Sequence, residues 1–433
     1  MRQAIAQQRY QQRYIEADLP RLTCDQPLWQ YALVIPVYRE SAQLITTLQE
    51  LAANTEPFVA ILVINRPDSD SEQQANDALR SALSTMPAAS QATPTARLHE
   101  IGGGSALLVH DTEALRGPLP ADRGVGLARK IGCDLAWQWI SDRVIECRWI
   151  FSSDADARLP SDYFKRMADC PSGSVAATYP FLHVPGPDPV CNEATSLYEL
   201  HLHHYVLGLE FAGSPYAYHT LGSSLAIEAE AYAKVRGFPQ RAGGEDFYLL
   251  NKLRKMGPVQ RLQGQCIELA SRQSHRVPFG TGPAVARIAD KAEPPALFYH
   301  PLCFLALRAL LREVEQGVTQ TLNDLPGRLQ AHGLQPELAR QCATALEKLG
   351  WEAAVEHCQR QAGNHDGFLR HFHQWFDGFR TLKFIHALRD KDLPQQTLSA
   401  LGSQEPSVWP HHRNSETLAG AVRAHWNWTT SST

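Results

Sequence analysis

The sequence predicts an α/β protein: a mostly parallel sheet with helices on its faces, followed by a helical C-terminal region. Three observations predict it. Short apolar runs alternate with helical stretches from Tyr31 onward, the signature of strands crossed over by helices. Strand signals stop after about Pro301. The composition is that of a globular chain, 44% apolar over 433 residues, a length that suggests two domains.

The elements follow in order. YALVIPVY (31–38) reads as a buried strand, and SAQLITTLQELAANT (41–55) as a helix with Ser41 as N-cap. VAILVIN (59–65) is the next strand and runs into the turn RPDSDS; EQQANDALRSAL (72–83) is a helix. A loop rich in Pro, Ala, Ser and Thr (85–96) precedes a strand at SALLVHD (105–111). GVGLARKIGCDLAWQWI (124–140) reads as a helix entered through a glycine turn. CRWIFSSD (147–154) and SVAATYPFLHV (174–184) read as strands, and ATSLYELHLHHYVLGLEFAG (194–213) as a helix closed by Gly213. LGSSLAI (221–227) is a short strand, and GGEDFYLLNKLRKMG (243–257) a helix, acidic in its first turn and basic in its last, as the helix dipole favours. The organisation expected is a helical lead-in at 1–30, an α/β domain at 31–300, a helical region at 301–395 and a polar tail at 396–433.

Composition excludes several function classes. A net charge of −4 gives no electrostatic case for nucleic acid. Nine cysteines without CxxC spacing argue against a zinc ribbon or a disulfide framework, and point to reduced thiols in a cytoplasmic protein. The N-terminus lacks the apolar core of a secretory signal. No apolar run approaches the ~18 residues of a membrane span. Peripheral membrane contact and homo-oligomerisation stay open.

In open parallel sheets, ligands gather at the carboxyl ends of the strands. Glu40, the 65–68 turn, Asp154 with Asp156, and the turn after LGSSLAI all fall at such ends. Asp154 and Asp156 stand at i and i+2 after a strand, so their side chains share one side of an extended chain. Such a pair suits Mg²⁺ or Mn²⁺, which bridge carboxylates to phosphates; it equally suits a strand end followed by a turn cap. In GGED, Glu245 and Asp246 either compensate a helix dipole or supply a general base. In SRQSHRVPFGTG (271–282), His275 can complete a metal site and Arg276 can hold a phosphate, or both decorate the surface. Arg123, Arg129 and Lys130 flank the glycine turn at 124–126 and suit a phosphate, or form a solvated helix face. His201, His203 and His204 do not form an HExxH pattern and read as packing residues, as does the aromatic run HFHQWFDGFRTLKF (371–384).

VIPVYRE (34–40), DAD (154–156), LGSSLAI (221–227) and GGED (243–246), in this order, resemble the GT-A glycosyltransferases, particularly the large inverting family 2, over about residues 31–282. The resemblance implies a GT-A sheet domain and places Pro36, Tyr38 and Glu40 near the base or ribose of a nucleotide. It makes Asp68 the acidic residue nearest the base, although NRPDSDS departs from the family's usual acidic run. Asp156, with Asp154, matches the metal ligands, His275 a further ligand, and Asp246 the catalytic base with Glu245 beside it. Arg129 and Arg276 remain the candidates for the donor phosphates. The implied reaction moves a sugar from a nucleotide-diphosphate donor to an acceptor hydroxyl, with Mn²⁺ or Mg²⁺ as cofactor and inversion at the anomeric carbon. The chain lacks both the transmembrane helices and the QxxRW motif of the processive members, which implies single-sugar transfer. Two other readings are a retaining GT-A enzyme making a small glycoside of the glycosyl-glycerate type, and a non-catalytic GT-A-like binding protein.

Overall fold

The computed structural model describes residues 2–89, 97–272, 280–291, 295–317, 321–401, 407–410 and 417–430, with side chains from residue 7 onward. The chain divides into two units: Met1–Thr195 with Thr220–Ala289 and Asn427–Thr433, and Ser196–His219 with Asp290–Trp426.

The first unit runs α1 (Arg2–Arg13), β1 (Tyr31–Val37), α2 (Gln43–Ala52), β2 (Phe58–Ile64), α3 (Asp77–Ser84), β3 (Arg97–Gly102), β4 (Ser105–Asp111), α4 (Thr112–Arg116), α5 (Gly124–Ser141), β5 (Trp149–Ser152), β6 (Ala176–Thr178) and β7 (Phe181–Val184). The long helix α6 (Pro189–Phe211) follows, then β8 (Leu225–Glu228), α7 (Ala229–Lys234), α8 (Glu245–Arg254), β9 (Val259–Arg261), β10 (Gly264–Gln265), β11 (Ile267–Ala270) and α9 (Thr281–Ala289). Eight strands form one mostly parallel sheet in the order β3-β4-β2-β1-β5-β8-β6-β9. Strands β4, β2, β1 and β5 are parallel, whereas β8 runs antiparallel to both β5 and β6. Every residue of β2 is buried, which explains its unbroken apolar run: a parallel strand covered on both faces has no polar side. α5 packs on β1, β2 and β5. Gly132 makes this approach possible, since a Cβ there would meet Val34 Cγ1 at 2.4 Å.

Chain order sets the position of the crevice. From β1 the chain moves outward through β2 to β4, then returns to add β5 on the other side of β1. The loops after β1 and β5 therefore diverge, and this reversal is where open α/β sheets take their ligands.

Several elements depart from the sequence reading. α2 begins at Gln43 with Ala42 in the capping position, and Ser41 Oγ accepts only an exposed contact from the Gln43 amide. The helix expected at 72–83 starts at Asp77. The strand expected at 174–184 splits at Pro180, which has no N–H for a ladder: β6 joins the main sheet, and β7 pairs with β11. α6 starts at Pro189, a residue pre-set for the first helical turn, rather than at 194. In LGSSLAI, Gly222–Ser224 form one 3₁₀ turn before β8.

The second unit is helical. It continues from the later part of α6 through α10 (Pro301–Gln316), α11 (Leu325–Ala331), α12 (Pro336–Lys348), α13 (Trp351–Gln361), α14 (His365–Trp375) and α15 (Gly378–Arg389). Phe304, Leu307, Leu310, Trp351, Phe372, Phe376 and Phe384 fill its core, so the aromatic run at 371–384 contributes to packing. Asn364 and Asp377 cap α14 and α15 by accepting from the amides of Gly367 and Arg380. The stretch read as a polar tail carries α16 (Leu398–Leu401) and α17 (Leu418–His425), and β12 (Trp428–Thr429) pairs with β10 in the first unit. Among the described residues, no helix is long and apolar enough to cross a membrane.

Candidate functional site

The site is built at the β1/β5 reversal in the first unit. The turn after β1 is held by two buried amides. Arg39 has φ +56°, a left-handed conformation uncommon outside glycine, and its N–H donates to Asn76 Oδ1 at 2.9 Å. Asn76 Nδ2 donates to the Asn65 carbonyl at 2.9 Å, and Asn65 Nδ2 to the Val37 carbonyl at 3.0 Å. These bonds lock the turns after β1 and β2 together. On the same turn the Tyr38 hydroxyl donates to Asp70 at 2.6 Å, and Arg39 pairs with Asp70 at 2.9 Å. The acidic partner of Tyr38 is therefore Asp70. Asp68, expected nearest the nucleotide base, is exposed and accepts from the Ala121 amide. Pro36 lies within β1, opposite Val63.

After β5, Ser153 N–H extends the ladder by donating to the Val34 carbonyl, and the chain then turns away. The hydroxyls of Ser152 and Ser153 donate to the carbonyls of Gly222 and Ser223, each at 3.1 Å. The DAD and LGSS segments are thereby bonded to each other.

Arg129 binds the motifs together. It projects from α5, is 3% exposed, and lies neither on a solvated face nor at the surface. Its Nε donates to Glu245 at 3.0 Å, its Nη1 to Ser152 Oγ at 3.0 Å and to the Ser153 carbonyl, and its Nη2 to Asp154. Gly222 faces the guanidinium so closely that a Cβ would come within 2.4 Å of Nη2. The expectation that Arg129 contacts donor phosphate is corrected: the fork is already filled by carboxylates, carbonyl and hydroxyl. Lys130 is likewise buried and pairs with Asp134 at 2.6 Å.

Gly244 caps α8 with φ +67°, which only glycine adopts freely, and this sends Glu245 inward to Arg129. Asp246 follows. Its Oδ1 accepts from the Phe247 amide at 2.7 Å. Burial, then the charge of Glu245, pushes its carboxyl up to about 7, against opposing pull from Arg129 and backbone amides. Arg272, just past β11, completes the group. One of its nitrogens, Nη2, reaches Glu40 at 3.0 Å and Asp156 at 2.8 Å. Asp156 is also pushed upward, first by burial and then by Asp154 and Glu40, while Arg272 pulls it down. A cavity of about 240 Å³ opens beside Ser153 and Asp154, between Leu44, Leu48 and Leu51 of α2 and the loop through Arg158.

Glu40, Asp154, Asp156 and Glu245 are thus joined through two arginines, with Asp246 next to Glu245. His275 and Arg276 lie outside the described residues. Arg272, Asp70, Asn65 and Asn76 were missed by the sequence reading. Arg272 had a signal, since it ends the apolar run CIELA and so falls at the carboxyl end of a strand; the asparagines had none beyond their turns.

Among the described residues, no three His, Cys, Asp or Glu converge as a complete metal cage. The donor set still suits Mg²⁺ or Mn²⁺, which are commonly held by one or two carboxylates plus substrate phosphates. Among the described residues, four carboxylates here meet two guanidiniums, and one guanidinium already stands as a cation between Glu40 and Asp156.

In the second unit, His203 and His204 are fully buried. His203 Nδ1 lies 3.0 Å from His219 Nε2, and His204 sits among Phe298, Phe304 and Trp409.

No protein-family model matches the chain, and no curated protein matches it. Among solved structures it is similar to one described as the crystal structure of a mycobacterial protein. That likeness has 10% identity and a TM-score of 0.31, covering 65% of this chain and 74% of the other. At this level it carries no argument about fold or activity.

Proposed function

We propose that the protein is a GT-A glycosyltransferase that moves a single sugar from a nucleotide-diphosphate donor to an acceptor hydroxyl, with inversion and with a divalent cation. One observation carries the reading. Arg129 joins Glu245, next to the carboxylate best suited to act as base, to Asp154 of the carboxylate pair best suited to a cation, across 116 and 25 residues of sequence. Both groups meet at the sheet reversal where ligands of α/β folds bind.

Each group has a role in this reading. The turn from Tyr38 to Glu40, fixed by Asn65 and Asn76, receives the nucleoside. Asp156 and Asp154 would hold Mg²⁺ or Mn²⁺. When bound, such an ion supplies charge neutralisation to the leaving diphosphate. Asp246 takes the proton of the acceptor hydroxyl as its oxygen attacks the anomeric carbon and the bond to the diphosphate breaks. A carboxyl that titrates near 7 is matched to this role, because a general base works best close to the operating pH.

A thermal-shift screen of nucleotide-sugars with Mn²⁺ or Mg²⁺ tests the reading. A ligand that binds only the folded state raises apparent stability by mass action. One donor class is expected to stabilise the protein in the presence of metal, and Asp156→Asn to abolish that effect. A flat response to every donor would sink the proposal.

A further inference from the structure

We propose that Arg272 is the resident counter-ion of Asp156 and Glu40, and that it competes with a divalent cation for these carboxylates. The inference rests on the cation reading above and adds a control built into the same site.

The two arginines are placed differently. The side chain of Arg129 is 4% exposed, whereas that of Arg272 is 35% exposed. Arg129 spends its fork on four groups of the protein itself, so it is a fixed part of the framework. Arg272 is attached to the site by one nitrogen, which serves Glu40 and Asp156 at once. An N–H group of a cation shared by two carboxylates from different strand ends stands where a small divalent ion could take the same oxygens. Arg272 is the more exposed of the two and holds the site through one nitrogen, so it gives up a carboxylate at less cost than Arg129, which is enclosed by its partners. An ion bound through Asp156 would face Arg272 across the same carboxylate, and two like charges at that separation exclude each other. Arg272 therefore keeps the carboxylates together and neutralised without metal, and withdraws when the ion enters. Its release also frees a phosphate-binding fork at the edge of the site at the moment the ion arrives.

Direct titration of Mn²⁺, following the electron paramagnetic resonance signal of the free ion, tests this without reference to turnover. Arg272→Gln is expected to bind Mn²⁺ about fivefold or more tightly than the wild type, the usual lower bound for coupling between sites. Arg272→Lys, which keeps the charge, is expected to stay near the wild type. Circular dichroism and urea midpoints identify any variant that fails to fold, and the partial exposure of Arg272 favours folding. Asp156→Asn is expected to lose the ion in either background, which assigns the signal to this site. Equal or weaker binding by Arg272→Gln overturns the proposal while the cation reading stands. Absence of Mn²⁺ binding in the wild type and in both Arg272 variants overturns the cation reading, and the proposal with it.

Discussion

Under the proposed transfer reaction, Asp246 links stability and activity in opposite senses. Its carboxyl is raised from the ordinary value of 3.8 to about 7 in the folded protein. Between these values the folded state holds a proton that the unfolded state has released, so folding stability falls as pH rises through that window. Activity should move the other way, because a base must be unprotonated: transfer is expected to rise with pH and level off above about 7. Asp246→Asn is expected to lower the transfer rate by about 10²-fold or more. At pH above about 7 the same variant should melt higher by a few degrees, since it no longer confines a charged carboxylate beside Glu245. An Asn variant that keeps the wild-type rate, or a rate flat between pH 5 and 8, would remove Asp246 from the chemistry.

At the scale of elements, the first unit is held by buried charge pairs between segments far apart in sequence. Asp134 on α5 is fully buried and accepts four bonds: from the hydroxyls of Tyr10 and Tyr232, from Lys130 Nζ and from the Glu16 amide. This ties α1 and α7 to the helix that also carries Arg129, so the N-terminal segment is part of the framework of the site. Asp134→Ala leaves buried Lys130 only the more distant Glu16, at 3.9 Å, as counter-charge and takes the acceptor from the Tyr10 and Tyr232 hydroxyls, and a cost of about 3–5 kcal/mol is expected in urea unfolding. A loss below about 1 kcal/mol would mean that the pair is solvated in solution. Gly222 works on the same scale. Gly222→Ala pushes Arg129 off Asp154 and Glu245, and is expected to reduce transfer by at least tenfold while nucleotide binding at the Tyr38 turn changes little. The contrast shows what the sequence made legible. The strands and the carboxylates at their ends were readable, because burial on both faces imposes apolar runs and turns expose polar residues. The roles of Arg129, Lys130 and Asp134 were not. A charged residue in a helix reads as a solvated face, and only its partner, 116 positions away for Arg129 and Glu245, makes burial possible.

At the scale of the whole molecule, each unit carries a buried neutral histidine that titrates far below its ordinary value. His110 on β4 is pushed down to about 4, first by burial and then by Arg116, and His204 in the helical unit down to about 3, first by burial and then by His201. Both rings are almost fully enclosed, and neither nitrogen of His204 has a hydrogen-bond partner. Above about pH 6.5 both states of the protein hold these rings neutral, and they contribute no pH dependence. Below that value the unfolded chain binds protons that the folded chain refuses, so stability falls as pH drops toward 4. Asp246 opposes this, since its proton is welcomed by the folded state over much of the same range. The raised carboxyls of Asp246 and Asp156 act against the depressed histidines, His201 among them, while Asp70 and Glu113, held down by their hydrogen-bond partners, act with the histidines; the net expectation is a urea midpoint that declines between pH 6.5 and 4. His204→Phe separates the contributions. The ring sits against Phe298, Phe304 and Trp409, so an apolar ring loses no hydrogen bond there. Near pH 7.5 the variant should match the wild type within about 1.5 kcal/mol, the usual range for a volume-conserving core exchange. At pH 5 it should be the more stable of the two, because one of the protonation penalties has been removed. A pH dependence unchanged by His204→Phe would show that His204 takes up its proton without unfolding, and would move the acid sensitivity to His110 and the carboxylates of the first unit.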